Sequence, residues 1–498
     1  MDICTQFSGI ERTDSAWLVH TNCADIKIIF VTDEIVRVRT SFDKEFTEES
    51  YVLMTTAWED RLDPLFEGER TRVEPVIPGV EETDNEITFD TGKIRLVLMK
   101  DPIGFELYDT EGTLLYSDLH GNPVSLDSNR RVTHYSCMEE EDCFYGFGEK
   151  AGPLNKNKMF LRERATDAMG YDAEKTDTLY KHIPFYIRLN RSSKKAVGVF
   201  YHNFYESCFN MGCEKSNYWH RYTYWQADGG DIDMFLLGGN SIADNYTLLT
   251  GRPALLPKRA LGYQGSSMYY PELERDSDDA VLGFIDTIKE EGFPIDGFHL
   301  SSGYTSVGNK RCVFTWNTTR FKDPSAYFHA MQDKGAENVP NIKPGILLCH
   351  PWFEEFKSQD VFVKDSKNPE QYAVGSWWGG PGAFWDFTKP AAREAWKKYV
   401  TGSLVAVGTN SIWNDNCEYD SLLDKDVIVD FDGKGGTIAQ LKPIMSTLMC
   451  KLSNDAVKEH DADMRPYSVC RSGSSGIQRY AQTWCGDNYT SWKSLKYN

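Results

Sequence analysis

An excess of positive charge is missing from this chain: 54 Lys+Arg stand against 74 Asp+Glu, a formal net charge of −20. Without a basic field there is nothing to displace counterions from a phosphate backbone, so nucleic acid is excluded as the expected partner. No window approaches the roughly 20 apolar residues of a membrane helix, so no membrane partner is expected either. The opening Met-Asp-Ile-Cys-Thr-Gln is polar, lacks basic residues and runs into no long apolar stretch, so no secretory signal is read. The 12 cysteines, from Cys4 to Cys485, contain no Cys-x-x-Cys pair and no Cys/His cluster at zinc spacing. Together these absences predict reduced thiols, no metal and a cytoplasmic location. Internal repeats and low-complexity tracts are absent too.

What is abundant is aromatic: 13 Trp, 26 Tyr and 27 Phe, enough for a large core or for platforms that stack on sugar rings. The length of 498 residues exceeds one core and predicts several domains. Up to about residue 250 the apolar runs are short: Ile26–Val31, Ile35–Val38, Ile87–Phe89, Ile94–Met99 and Ala196–Tyr201. Each is bounded by turn residues, and this spacing predicts an antiparallel β-sandwich over 1–250.

The pattern changes after Arg252-Pro253 and Leu256-Pro257. Val281, Phe284, Ile285 and Ile288 fall on one face of a helix that starts in acids and ends at Gly292. Further helices are expected from Asp323-Pro324, over Pro390–Leu404 and over Ile438–His460, with strand-like runs between them. Alternating strands and helices predict a parallel sheet, here a (β/α)8-type TIM barrel over 251–498, giving a multidomain β plus α/β chain. Strand candidates lie near Leu261, Phe298, Ile346, Ile412, Val469 and Thr483, six in all. A closed barrel of this type has eight, so the barrel is expected to be truncated after its sixth strand, incomplete at the C-terminus.

Catalytic groups of such barrels stand at the carboxyl ends of strands. Two of those ends finish in carboxylates among aromatic and amide residues: Trp413-Asn414-Asp415-Asn416-Cys417-Glu418 and Trp484-Cys485-Gly486-Asp487-Asn488. Two carboxylates on different strands suit glycoside cleavage, one as an ionised nucleophile and one as the acid that protonates the leaving oxygen. His299 and His350, also near strand ends, read as structural. The acidic run Asp420, Asp424, Asp426 and Asp430 reads as a solvated loop.

The wording of these segments resembles glycoside hydrolase family 31, the α-glucosidase-type enzymes. Tyr145-Gly146-Phe147-Gly148-Glu149 is similar to the family's N-terminal signature, and Thr250-Gly251-Arg252-Pro253 through Ala260-Leu261-Gly262-Tyr263 to its barrel entry. Trp413–Glu418 resembles the nucleophile motif, and Arg471-Ser472-Gly473 through Gln478-Arg479-Tyr480 to Trp484–Asn488 the segment carrying the general acid. The resemblance implies a retaining hydrolase of terminal α-linked sugars, acting by double displacement without a cofactor, with Asp415 as nucleophile and Asp487 as acid/base. A retaining enzyme implies carboxyl groups about 5–5.5 Å apart, and Trp484 is expected to help desolvate Asp487. It further implies Arg479 as a cation on the substrate side, Asp167 on a loop over the site, and Trp413, Trp385 and Trp484 around the sugar, with Trp377 and Trp378 near Trp385.

Three departures bear on specificity. Asn416-Cys417-Glu418 stands where the family has Met-Asn-Glu. Ser301 and Lys343 stand at strand ends where family members carry carboxylates that hold sugar hydroxyls. Both remain candidate substrate-binding residues, but a site that reads hydroxyls differently need not prefer glucose. α-Galactosidase or α-N-acetylgalactosaminidase-type specificity, a lyase or transglycosylase outcome at Asp415, and an inactive carbohydrate-binding homologue stay open. The expected partner is an oligosaccharide or glycoside; the oligomeric state is left open.

Overall fold

Strand Trp17–Thr21 alternates buried and half-buried residues along its length, as a strand with one covered face must. Ile232–Leu237 is buried throughout, which marks a central strand covered on both faces. In the computed structural model, which describes residues 1–498, both belong to an eight-stranded antiparallel sheet. A six-stranded and a five-stranded antiparallel sheet complete the same unit around a shared aliphatic and aromatic core that includes Val19, Phe30, Leu96 and Trp225. The expected runs near Ile26, Ile35, Ile87, Ile94 and Ala196 are all strands here.

Among the charges buried inside this unit is a fully shielded arginine. The Arg37 guanidinium donates to both oxygens of Asp233 at 2.7 Å and to Glu48 at 2.8 Å. Two parallel hydrogen bonds of this kind offset much of the cost of burying an arginine. Burial pushes the Asp233 carboxyl up, but Arg37 outweighs it and holds the group far below the usual carboxylate range.

Contact density divides the chain into two units. The first comprises Met1–Arg252 with Ser474–Gly476 and Cys485–Asn498; the second comprises Pro253–Gly473 with Ile477–Trp484. The first therefore takes in two segments, one of them bearing Asp487, that lie beyond residue 251 in sequence.

The second unit is built on five parallel strands in sequence order: β1 (Gln264–Ser267), β2 (Gly297–Leu300), β3 (Glu337–Ile342), β4 (Ser411–Asn414) and β5 (Tyr467–Cys470). Helices α1 (Ser277–Glu290), α2 (Pro324–Asp333), α3 (Pro390–Val400) and α4 (Ile438–His460) alternate with them. Their starts follow capping chemistry: Pro324 occupies the first turn of α2 while the Asp323 side chain accepts from the Ala326 N–H.

Two strand expectations are corrected. The run at Ile346 is not in the parallel sheet. Gly345–Leu347 pairs antiparallel with Gly380–Phe384 in a three-stranded insertion that also contains Val374–Trp377. Gly345 is needed there because a Cβ would come within 2.4 Å of the Trp377 ring. The third parallel strand is instead Glu-Asn-Val-Pro-Asn-Ile, whose two Asn and one Pro hide it from an apolar-run reading. Near Thr483 there is no strand; Gln482 makes a single parallel bridge to Val469. No helix is long and apolar enough to cross a membrane.

Candidate active site

Strand register sets the site. Ile342 is opposite Asn414, and Asn414 is opposite Cys470. The next residue on each strand, Lys343, Asp415 and Arg471, therefore leaves the carboxyl end of the sheet in one row, with strands about 4.8 Å apart. Two rows below, Asn341 is opposite Trp413. Side chains two apart on a strand share a face, which brings Asn341 under Asp415.

Asp415 is buried and held from both sides. Its Oδ2 accepts from Lys343 Nζ at 2.5 Å and from Asn341 Nδ2 at 3.0 Å. Its Oδ1 has no hydrogen-bond partner and lies 3.4 Å from Arg471 Nε. Burial alone would push this carboxyl up, but the Lys343 ammonium and the Arg471 guanidinium outweigh it and hold the group well below the usual carboxylate range. Asp415 is thus a buried carboxyl whose charged form is favoured by the two cations beside it.

The surroundings keep this arrangement stiff. Arg471 is fixed on Glu418 through Nε at 2.8 Å and Nη2 at 3.2 Å. Lys343 also donates to Asn416 Oδ1, and Asn416 adopts a left-handed backbone (φ 47°) that Asn tolerates better than most residues. From α4, Ser453 donates to Asn414 Oδ1 at 2.8 Å, and Asn454 donates to the Tyr480 carbonyl at 2.8 Å while accepting from Ser468 at 2.6 Å. The long helix therefore braces the ends of β4 and β5 with side-chain hydrogen bonds. Cys417, two residues past Asp415, is buried with its Sγ 3.3 Å from that of Cys470.

The other expected residues fall in different places. Ser301, just past β2, is buried with an unpartnered Oγ. Trp413 is half-buried on β4, its ring edge-on to Trp484 at 5.7 Å and close to His299 at 5.7 Å. His299 is a neutral ring, its pKa pushed down to about 4 by burial. His350 bonds the Val313 carbonyl and the Trp352 N–H, a structural role. Arg479 sits in the turn Ile477–Arg479 with its guanidinium 4.9 Å from the Tyr480 ring centre.

Two placements differ from the sequence reading. Trp385 is fully buried, packs on Trp396 at 5.2 Å, and spends its indole N–H on the Ala392 carbonyl at 2.8 Å. It is a core residue with no face for a sugar; on this insertion the exposed indole belongs to Trp378, whose ring centre lies 5.7 Å from Lys343 Nζ. Lys343, expected to read sugar hydroxyls, is committed to Asp415 and Asn416. The cation missed by sequence reasoning is Arg471, and the signal was its position one residue past a strand end.

In the first unit, Asp487 is exposed. Its N–H donates to Tyr180 Oη at 3.0 Å and its carbonyl accepts from Gly170 N–H at 2.6 Å. Asp167 is half-buried in an irregular segment of that unit. Carboxylates capable of meeting a cation occur at Asp276, Asp278 and Asp279, within 4.8 Å of one another, but Lys322 already lies 2.9 Å from Asp276 and 2.8 Å from Asp279.

Comparison with known proteins gives this geometry its family. Residues 253–498 match the glycosyl hydrolases family 31 TIM-barrel domain, and residues 25–210 match the glycosyl hydrolase 31 N-terminal galactose mutarotase-like domain. Alpha-glucosidase 2 of Bacillus thermoamyloliquefaciens is 30% identical over 97% of this chain and 59% of its own length. The alpha-glucosidase of Saccharolobus solfataricus is 25% identical over 76% of this chain and 55% of its own. The chain thus spans less than two thirds of the length of these relatives. Among solved structures, a Flavobacterium johnsoniae GH31 dextranase complexed with isomaltotriose superposes with a TM-score of 0.86 at 21% identity, covering 99% of this chain and 58% of that one. A glucosidase II alpha subunit aligns at 0.79 and 19% identity, over 100% of this chain and 61% of that one. The chain belongs to glycoside hydrolase family 31.

Proposed function

We propose that this chain carries the catalytic centre of a retaining α-glycosidase acting on terminal α-linked sugars, with Asp415 as nucleophile and Asp487 as acid/base. The observation that carries the reading is the state of Asp415: ionised and buried at the carboxyl end of β4, between two fixed cations. In the first step Asp415 forms a bond to the anomeric carbon while the glycosidic bond breaks and the leaving oxygen takes a proton from Asp487. In the second, Asp487 accepts a proton from water, the water oxygen bonds the anomeric carbon, and the carboxylate leaves. Two inversions return the α configuration. No step calls for a metal or organic cofactor.

The relatives named alpha-glucosidase favour an α-glucoside as substrate. Ser301 Oγ and the Trp413 indole N–H, both buried without partners, are the polar groups that this reading assigns to substrate contact. Arg479, Trp484 and Asp167 keep the substrate-side roles that the family resemblance implies. Twelve free thiols support a reducing, cytoplasmic setting. The test is a screen of nitrophenyl α-glycosides (glucoside, galactoside, N-acetylgalactosaminide, xyloside), with the anomer of the first-formed sugar followed by NMR. Initial release of the α-anomer supports the reading; the β-anomer, or an unsaturated product, overturns it.

A further inference from the structure

Asp415 holds its two oxygens in unlike surroundings. Oδ2 takes two hydrogen bonds, from Lys343 and Asn341, whereas Oδ1 is buried with none. A buried carboxylate oxygen without a donor is costly unless that lone pair has another use. Lys343 is itself pinned: it also donates to Asn416, and the Trp378 ring stands 5.7 Å from its Nζ. Arg471 faces Oδ1 but gives its close hydrogen bonds to Glu418.

We infer that Lys343 is a positioning residue that reserves Oδ2 of Asp415, leaves Oδ1 as the attacking atom, and assists the return of the carboxylate when the glycosyl–enzyme bond breaks. The inference rests on the reading of Asp415 as nucleophile. In the first step Oδ1 donates an electron pair to the anomeric carbon, and the charge beside Lys343 is lost. In the second, the C1–Oδ1 bond breaks, its electron pair goes back to the carboxylate, and water supplies the new C1–O bond. A fixed ammonium on Oδ2 favours the state in which the carboxylate is charged. Lys343 therefore makes Asp415 a better leaving group more than a better nucleophile. Its removal acts mainly on the second step.

The charged and titratable groups facing Asp415 are few. Lys343 follows β3, Arg471 and Cys470 belong to the end of β5, and Glu418 and Cys417 lie on its own loop; Asn341 adds a neutral donor. With Lys343 gone, Arg471 remains the one cation in the group, so the Asp415 carboxyl becomes easier to protonate.

The test uses a 5-fluoro-α-glucosyl fluoride on the whole protein, with wild type compared with Lys343→Gln and Lys343→Arg. Adduct formation and adduct loss are followed by intact mass, and the labelled peptide is identified. The reading of the nucleophile stands or falls with wild type alone: an adduct on Asp415 supports it, and an adduct elsewhere or none overturns it. Given that adduct, Lys343→Gln is expected to slow its loss by about tenfold or more while changing its formation by less than about threefold. The acid limb of formation against pH is expected to move upward. Lys343→Arg, which keeps the charge, is expected to restore loss to within about threefold of wild type. Equal slowing of both steps, or no change in either, overturns the inference. Should Lys343→Gln fail to fold, Asn341→Ser removes the other donor to Oδ2. A selective slowing of adduct loss there supports the reserved-oxygen account, and its absence overturns it.

Discussion

Arg471 and Glu418 form a buried pair, Nε to Oε1 at 2.8 Å and Nη2 to Oε2 at 3.2 Å, and the same Nε stands 3.4 Å from Asp415. Both side chains are almost wholly shielded, at 3% exposure each. Replacing Glu418 strips Arg471 of both these charge-assisted hydrogen bonds while it stays buried beside Asp415. Glu418→Gln is therefore expected to cost about 3–5 kcal/mol of stability, read by denaturant unfolding. A loss below about 1 kcal/mol contradicts the geometry described.

The two proposed catalytic acids differ in what their loss does. Asp415→Ala removes the only atom that forms the covalent bond and is expected to take turnover of an aryl α-glycoside to background. Asp487→Ala removes proton transfer and is expected to lower the rate by about 10²–10⁴-fold, least with the most acidic leaving group. Full activity in either variant sinks that residue's assignment.

One acid in the first unit, Glu163, contributes a fall in stability with rising pH. Burial lifts the Glu163 carboxyl to about 7 against the pull of Lys150. Between about pH 4.3, where an unfolded Glu ionises, and about 7, the unfolded chain has released this proton and the folded chain has not. The unfolded state gains over that window, so Glu163 contributes a decline in stability that levels off above about pH 7. Glu163→Gln is expected to flatten this part of the profile in thermal melts at successive pH values.

Thiol labelling should sort the cysteines by burial. Cys213 and Cys349 are exposed, whereas Cys4, Cys143, Cys312, Cys417, Cys450 and Cys470 are buried. Burial also keeps the Cys417 and Cys450 thiols protonated, well above their ordinary pKa. A maleimide is expected to modify the exposed pair first and the six buried ones only after denaturation, read by peptide mass. Early modification of Cys417 contradicts its packing against Cys470.

Trp385 offers a direct contrast between core and site. Trp385→Phe loses the hydrogen bond to Ala392 and part of the contact with Trp396, and is expected to cost roughly 1–3 kcal/mol. Its KM for a glycoside is expected to stay within about twofold of wild type; a large rise in KM at unchanged stability would return this residue to the sugar site.

Much was legible from short-range patterns. Pro390–Val400, Ile438–His460 and Tyr467–Cys470 emerge where apolar spacing and helix-start residues put them. Such elements carry their own signal, because one face must be apolar and the ends must be capped. β3 was not legible. Asn338 accepts from Tyr327 at 2.8 Å and Asn341 donates to Asp415, so its polar residues are there for partners distant in sequence. The Ile346 run was apolar for a different reason, packing in an antiparallel insertion.

The sequence by itself determined the family, the alternation of strands and helices after residue 252, and a strand that ends shortly before Asp415. The tertiary structure decided which charges meet that carboxylate. Lys343 and Arg471 lie 72 and 56 residues away along the chain and are brought into one row by parallel register. Register depends on hydrogen bonding between strands and on the packing of α4 behind them, and no local run of residues encodes it. That is why sequence reading assigned Lys343 to the sugar and singled out Arg479, while the folded chain puts Lys343 and Arg471 on Asp415.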